Sequence, residues 1–89
     1  MQIGAYTLRD VVEGSGLVAT CSGGSVMVIP YASDFNSPGI YLSLTGRPTA
    51  KVASLAAAER KMVDAGLDRW PLAVFDNLDL ELRRFIQSH

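Results

Sequence analysis

One histidine, one cysteine and two lysines are all that 89 residues offer of three side chains on which much protein chemistry depends. The histidine is His89, the last residue, where chains usually fray. A Ser/His/Asp triad therefore lacks its base, and a zinc site lacks ligands. Cys21 has no second cysteine to pair with. A small secreted domain normally carries several, so the composition points to a reducing compartment, the cytoplasm. A nucleophilic thiolate would also need a base or a cation beside it. The expected role of Cys21 is that of a small buried apolar side chain.

Charge is scarce too. Charged residues make up 19% of the chain and the net charge is −1, which provides no basic field for a phosphate backbone. The opening residues Met1, Gln2, Ile3, Gly4, Ala5 and Tyr6 lack the basic-then-apolar layout of a signal peptide. Residues 14–33 carry no charge at all, yet Gly14, Gly16, Gly23, Gly24 and Pro30 interrupt them. No uninterrupted run is long enough to span a bilayer as a helix.

What is present is apolar residues, 48% of the chain, enough for one core and incompatible with a disordered polymer. They are patterned differently in the two halves. Before Arg47 the only charged residues are Arg9, Asp10, Glu13 and Asp34; after it acids and bases alternate densely. No linker separates the halves. The reading is a single α+β domain over 1–89, β-rich over 1–46 and helical over 47–89, with a four-stranded antiparallel meander packed against two helices.

Residues 6–12 are strand-like, with β-branched and aromatic side chains. Leu17–Cys21 reads as the next strand, and Ser22, Gly23, Gly24 and Ser25 as a tight hairpin, since glycine reaches the positive φ of primed turns. Val26, Met27, Val28 and Ile29 form an uninterrupted apolar run, the signature of a central strand. Pro30 ends it, and residues 32–39 are rich in turn formers. Ile40, Leu42 and Leu44 then alternate with Tyr41, Ser43 and Thr45, as in a half-buried strand.

The period changes after Arg47. Val52, Leu55, Ala56, Met62 and Val63 fall at helical spacing and predict a first helix over 48–65 with those five residues buried. Thr45 or Thr49 would cap it, with Pro48 in the first turn. Gly66 would stop it in the left-handed region, and Leu67 would fold back onto Met62. In the second helix, Leu78, Leu82, Phe85 and Ile86 share a face, Asp79 and Arg83 make an i,i+4 pair, and Asp76 or Asn77 would cap. Residues 71–76 fit either strand or helix.

The candidate chemistry is thin. Gly14, Ser15, Gly16, Leu17, Val18 and Ala19 match G-x-G-x-x-A, with Asp34 downstream. That motif holds a dinucleotide only when it opens a helix, and here it precedes strand-forming residues. Asp76, Asp79 and Glu81 cluster near the expected start of the last helix, where its dipole favours acids. They lack the spacing of a calcium loop. Asp34 and Asn36 are expected to form Asx turns. Arg47, Lys51, Arg60 and Lys61 give the first helix a basic character without forming one stripe, and an Arg60–Asp64 pair would account for part of it. No catalytic residue, cofactor or metal is expected.

The low charge leaves apolar surface for a protein partner or a second copy. Tyr6, Tyr31, Tyr41 and Ser43, on or beside the charge-poor strands, and Arg69 with Trp70 are the candidate partner-binding residues, Trp70 also fitting a core tryptophan that closes one end of the sheet. Exposed strand edges without lysine would support docking or a homodimer through the sheet. The functional expectation is a protein-binding regulator or inhibitor without catalysis, the kind of small product that phages and mobile elements often encode. The alternatives are a structural subunit of an oligomer and a nucleic-acid binder using the basic first helix. Neither a membrane nor nucleic acid is the expected partner.

Overall fold

The computed structural model describes residues 1–11, 16–30 and 37–87, the last three of these by backbone alone. Six antiparallel strands follow one another in space in chain order: β1 (Gln2–Ile3), β2 (Tyr6–Asp10), β3 (Leu17–Cys21), β4 (Gly24–Ile29), β5 (Gly39–Leu44) and β6 (Ala50–Val52). Two helices follow, α1 (Leu55–Asp64) and α2 (Leu72–Gln87). The α+β class and the meander are as expected; the strand number is not. β1 and β6 extend the expected four-stranded sheet by one strand at each edge. Two or three residues are too few to display a period of two, so neither was visible as a strand.

The β3–β4 hairpin turns through Ser22 and Gly23, with Cys21 opposite Gly24 and Gly23 at φ 101°. This tight turn sets the pairing of the two strands residue by residue. Period two then sorts the side chains: Leu8, Ala19, Val26 and Leu42 are opposite neighbours and all are buried, as are Val28 and Ile40 in the next row. Both helices pack on this face, with Leu55, Ala58 and Met62 of α1 and Val74 and Leu78 of α2 completing the same core.

The start of α1 corrects the expectation. Residues 50–52 pair with β5, Ile40 lying opposite Val52, so Val52 reaches the core from a strand. Its helical spacing to Leu55 and Ala56 is a coincidence. Ser54 caps the helix, its Oγ accepting the Ala57 N–H at 3.1 Å, in place of Thr45 or Thr49. Because α1 faces the sheet with the Leu55, Ala58 and Met62 stripe, Ala56 and Val63 turn about a quarter circle away and are exposed. The stop is as read: Gly66 has φ 93°, Leu67 N–H donates to the Met62 carbonyl at 3.0 Å, and Gly66 N–H donates to that of Val63 at 2.9 Å. This is the two-bond Schellman closure.

α2 begins at Leu72, directly after Pro71, whose carbonyl accepts the N–H groups of Val74 and Phe75. Residues 72–76 are therefore helical. Asn77 is no cap: its side chain donates to the Ala73 carbonyl one turn back. Asp76, Asp79 and Glu81 lie inside the helix, away from its N-terminal dipole. Asp79 and Arg83 do pair, at 2.9 Å. Glu81 is buried, and Arg84 Nη1 donates to both of its carboxylate oxygens at 3.1 Å. The ion pairs of the described residues do not include Arg60 with Asp64.

Candidate functional site

Burial of one sheet face defines the other. No helix among the described residues packs on the side opposite the core, and the strand register lays two rows of largely uncovered side chains across it, while Ile29, opposite Gly39 on the same side, is buried. In the first, Arg9, Val18, Met27, Tyr41 and Lys51 are successive cross-strand neighbours from β2 to β6. Val18, Met27 and Tyr41 are half-buried while Arg9 and Lys51 are exposed. Four inter-strand steps of about 4.8 Å give the row a length of about 19 Å. In the second row, Gln2, Thr7, Thr20, Ser25 and Ser43 follow one another from β1 to β5.

Local contacts fix part of each row. Thr7 Oγ1 donates to Gln2 Oε1 at 2.7 Å. The Tyr41 hydroxyl donates to the Ser37 carbonyl at 2.8 Å and lies 2.9 Å from the Ser37 hydroxyl, which pins its ring along the sheet. Lys51 Nζ stands 6.0 Å from that ring, within reach of a cation–π attraction. Gly39 makes room for the lysine stem, where a Cβ would collide with it. The open face is thus an apolar strip with a cation at each end, beside a strip of hydroxyls and one amide.

The expected partner-binding residues separate into groups. Tyr41 and Ser43 lie on the open face, one in each row. Tyr6 does not: its ring is buried in the core and its hydroxyl donates to the Asp68 carbonyl at 3.1 Å. Burial raises the Tyr6 phenol above its ordinary value, helped by the neighbouring Cys21 thiol and by the Asp68 and Glu59 carboxylates. Trp70 is buried as well. Its indole N–H points to Met62 Sδ at 3.2 Å and its backbone N–H donates to Glu59 Oε2 at 3.0 Å. Little of either ring is presented to a partner. Arg69 is exposed in the connection between the helices. Tyr31, Asp34 and Asn36 lie outside the described residues.

The sheet edges differ from the expected unprotected ones. The charge-free strands β3 and β4 lie inside the sheet, β5 is covered by β6 over Ile40, Tyr41 and Leu42, and the edge strands are the very short β1 and β6. β6 carries Lys51, so shortness and a lysine both blunt that edge. The surface these strands offer is their face. Arg9, Val18, Met27 and Lys51 were missed as members of it. For two of them the signal lay in the sequence, since a two-residue turn at Ser22 and Gly23 places Val18 opposite Met27 by counting alone.

Other candidates resolve more simply. Gly16 is followed at once by β3, so the glycine motif opens a strand and presents no helix N-terminus to a phosphate. Cys21 is half-buried at the end of β3. Of the four basic residues expected on the first helix, only Arg60 and Lys61 belong to it; Lys51 is on β6 and Arg47 in the turn before it. No described helix is long and apolar enough to cross a membrane. Comparison with protein-family models, with curated proteins and with solved structures gives no match.

Proposed function

We propose that this chain is a small protein-binding regulator or inhibitor that acts by contact, without catalysis, through the open face of its sheet. The observation that carries the reading is the row Arg9, Val18, Met27, Tyr41 and Lys51. Tyrosine and methionine are enriched in interface centres, where rigid or adaptable apolar area is gained at low cost. Cations at the rim steer an approaching partner and set its register. The matching partner has an apolar centre flanked by acidic groups about 19 Å apart. Such a factor, working in the cytoplasm and encoded by a phage or mobile element, fits the size of the chain and its lack of catalytic groups.

Symmetry favours a different protein over a second copy. In a face-to-face dimer the same patch meets itself. A two-fold axis along the row brings Arg9 against Arg9, and one across it brings Arg9 against Lys51. Cation meets cation either way. A homodimer through this face is the weaker reading, and nucleic acid, which would use the cations without the apolar centre, is weaker still.

Affinity capture from the native host tests the proposal, with wild type beside Tyr41→Asp and Lys51→Glu. A partner retained by the wild type and lost by both variants is the expected result. Capture that ignores both substitutions sinks the open-face reading. Sedimentation at micromolar concentration separates the homodimer, and a gel shift at physiological salt separates nucleic acid.

A further inference from the structure

β5 runs past the end of β6. Leu42 is its last residue opposite β6, facing Ala50, whereas Ser43 and Leu44 pair with β4 alone. Residues 45–49 swing outward before the chain returns as β6. Gly46 at φ 80° and the Arg47 N–H bond to the Leu44 carbonyl form that turn. The missing stretch of β6 leaves a gap beside the last turns of α1. It is a cleft of about 470 Å³, lined among others by Leu42, Leu44, Arg47, Pro48, Lys61 and Asp64.

That volume lies within the usual range of small-molecule sites. The leucines and Pro48 give it an apolar wall. Arg47 and Lys61 add two cations, and neither belongs to an ion pair among the described residues. Asp64 subtracts one charge, so the lining carries a net +1. Leu42 and Leu44 point to the core side of the sheet, opposite Tyr41 and Ser43, which makes this site independent of the open face.

We propose that the cleft binds a small organic monoanion with an apolar body, a medium-chain or aryl carboxylate. The body lies on Leu44 and Pro48, with the nearly covered Leu42 at the floor, and the carboxylate is held between Arg47 and Lys61. The planar guanidinium fork of arginine matches a carboxylate well. Asp64 opposes a second negative charge, so a multiply charged phosphate is discriminated against by repulsion.

The probe is octanoate, titrated into the full chain while backbone amide chemical shifts are followed. Saturable shifts are expected at Leu44, Arg47, Thr49 and Lys61. The neutral analogue 1-octanol should bind more weakly, and inorganic phosphate should produce no saturable shift there. Arg47→Ala and Lys61→Ala should each weaken octanoate by about threefold to tenfold, the effect of losing one partly screened charge contact. Asp64→Asn should tighten it, a direction that mere loss of structure does not produce. A thermal melt of each variant confirms that it is folded. The proposal is overturned if millimolar octanoate shifts none of these amides, if octanol binds as tightly, if the shifts map instead to Val18, Met27 and Tyr41, or if folded charge variants bind unchanged.

Discussion

The two faces of the sheet are built from the same strands and read very differently. On the covered face, Leu8, Ala19, Val26, Val28, Ile40 and Leu42 are almost without exposed surface, and two helices are committed to keeping them so. On the other, Val18, Met27 and Tyr41 remain half-buried between Arg9 and Lys51. One face secures the fold. The other leaves Val18, Met27 and Tyr41 only half covered, so truncating one of these three removes less of what holds the domain together.

The sharpest way to break this contrast is to truncate one side chain on each side. Met62→Ala, beneath the sheet, should cost about 2–5 kcal/mol, as buried large-to-small changes do. Met27→Ala, on the open face, should cost less than about 1 kcal/mol. Urea unfolding measures both. Equal losses would mean that the open face is held as firmly as the core.

Arg84→Ala comes next. Glu81 lies on the core side of α2 with its side chain 8% exposed, and Arg84 bridges both of its oxygens. Leaving that carboxylate without its cation should cost about 1–3 kcal/mol. Replacing both residues, as Glu81→Leu with Arg84→Ala, should restore part of the loss, since an apolar pair asks for no partner. A double substitution worse than the single one would show that the bridge stabilises the packing of α2 beyond its own charges.

A smaller effect sits under the same face and is set by pH. Tyr6 is neutral and buried, with its pKa raised by burial first and then by Cys21. In the unfolded chain it ionises near its ordinary value of about 10. Folding stability from this group is therefore complete below about pH 10 and declines as the pH rises toward the higher folded value, because only the unfolded chain releases the proton. Tyr6→Phe should flatten that alkaline decline in thermal melts between about pH 9 and 11. An unchanged slope would assign the decline to other groups.

The smallest expected change is Arg83→Ala. Its 2.9 Å bond to Asp79 lies on a largely exposed surface, where such pairs contribute about 0.3–0.5 kcal/mol. A loss above about 1 kcal/mol, read in the same urea experiment, would mark the solvent side of α2 as part of a larger packed surface.

How far the sequence disclosed this arrangement depended on the length of each signal. β3, β4 and β5 each show five or six residues of period-two or continuous apolar pattern, and all three were legible. So was the stop at Gly66, since glycine followed by an apolar residue is a local device. β1 and β6 were not legible, because a strand of two or three residues is made by its neighbour's register. The start of α1 was misplaced for the same reason: Val52 satisfies both a strand pairing with Ile40 and a helical spacing to Leu55. The open face was half legible. Tyr41 and Ser43 share a side by their alternation with Ile40, Leu42 and Leu44, but Arg9 and Lys51 join them only once four separate pairings are known, and no short window contains that information.

The helix stop reaches further than α1. Beyond Gly66, Leu67 lies directly under the β3–β4 hairpin: a Cβ added at Gly23 would come within 2.9 Å of its Cδ2, and one at Gly24 within 3.2 Å of its Cδ1. Two punctuation marks more than forty residues apart in the chain thus share one volume. The consequence is evolutionary bookkeeping: positions 23, 24 and 67 are not free to drift separately. At 24 an added side chain would also meet the Ser43 carbonyl oxygen at 3.0 Å and Leu44 Cδ2 at 3.1 Å, so a smaller residue than leucine at 67 relieves only part of the crowding there. A saturation library at 24 and 67 should show side chains at 24 depleted with leucine at 67 and only partly restored by a smaller residue there.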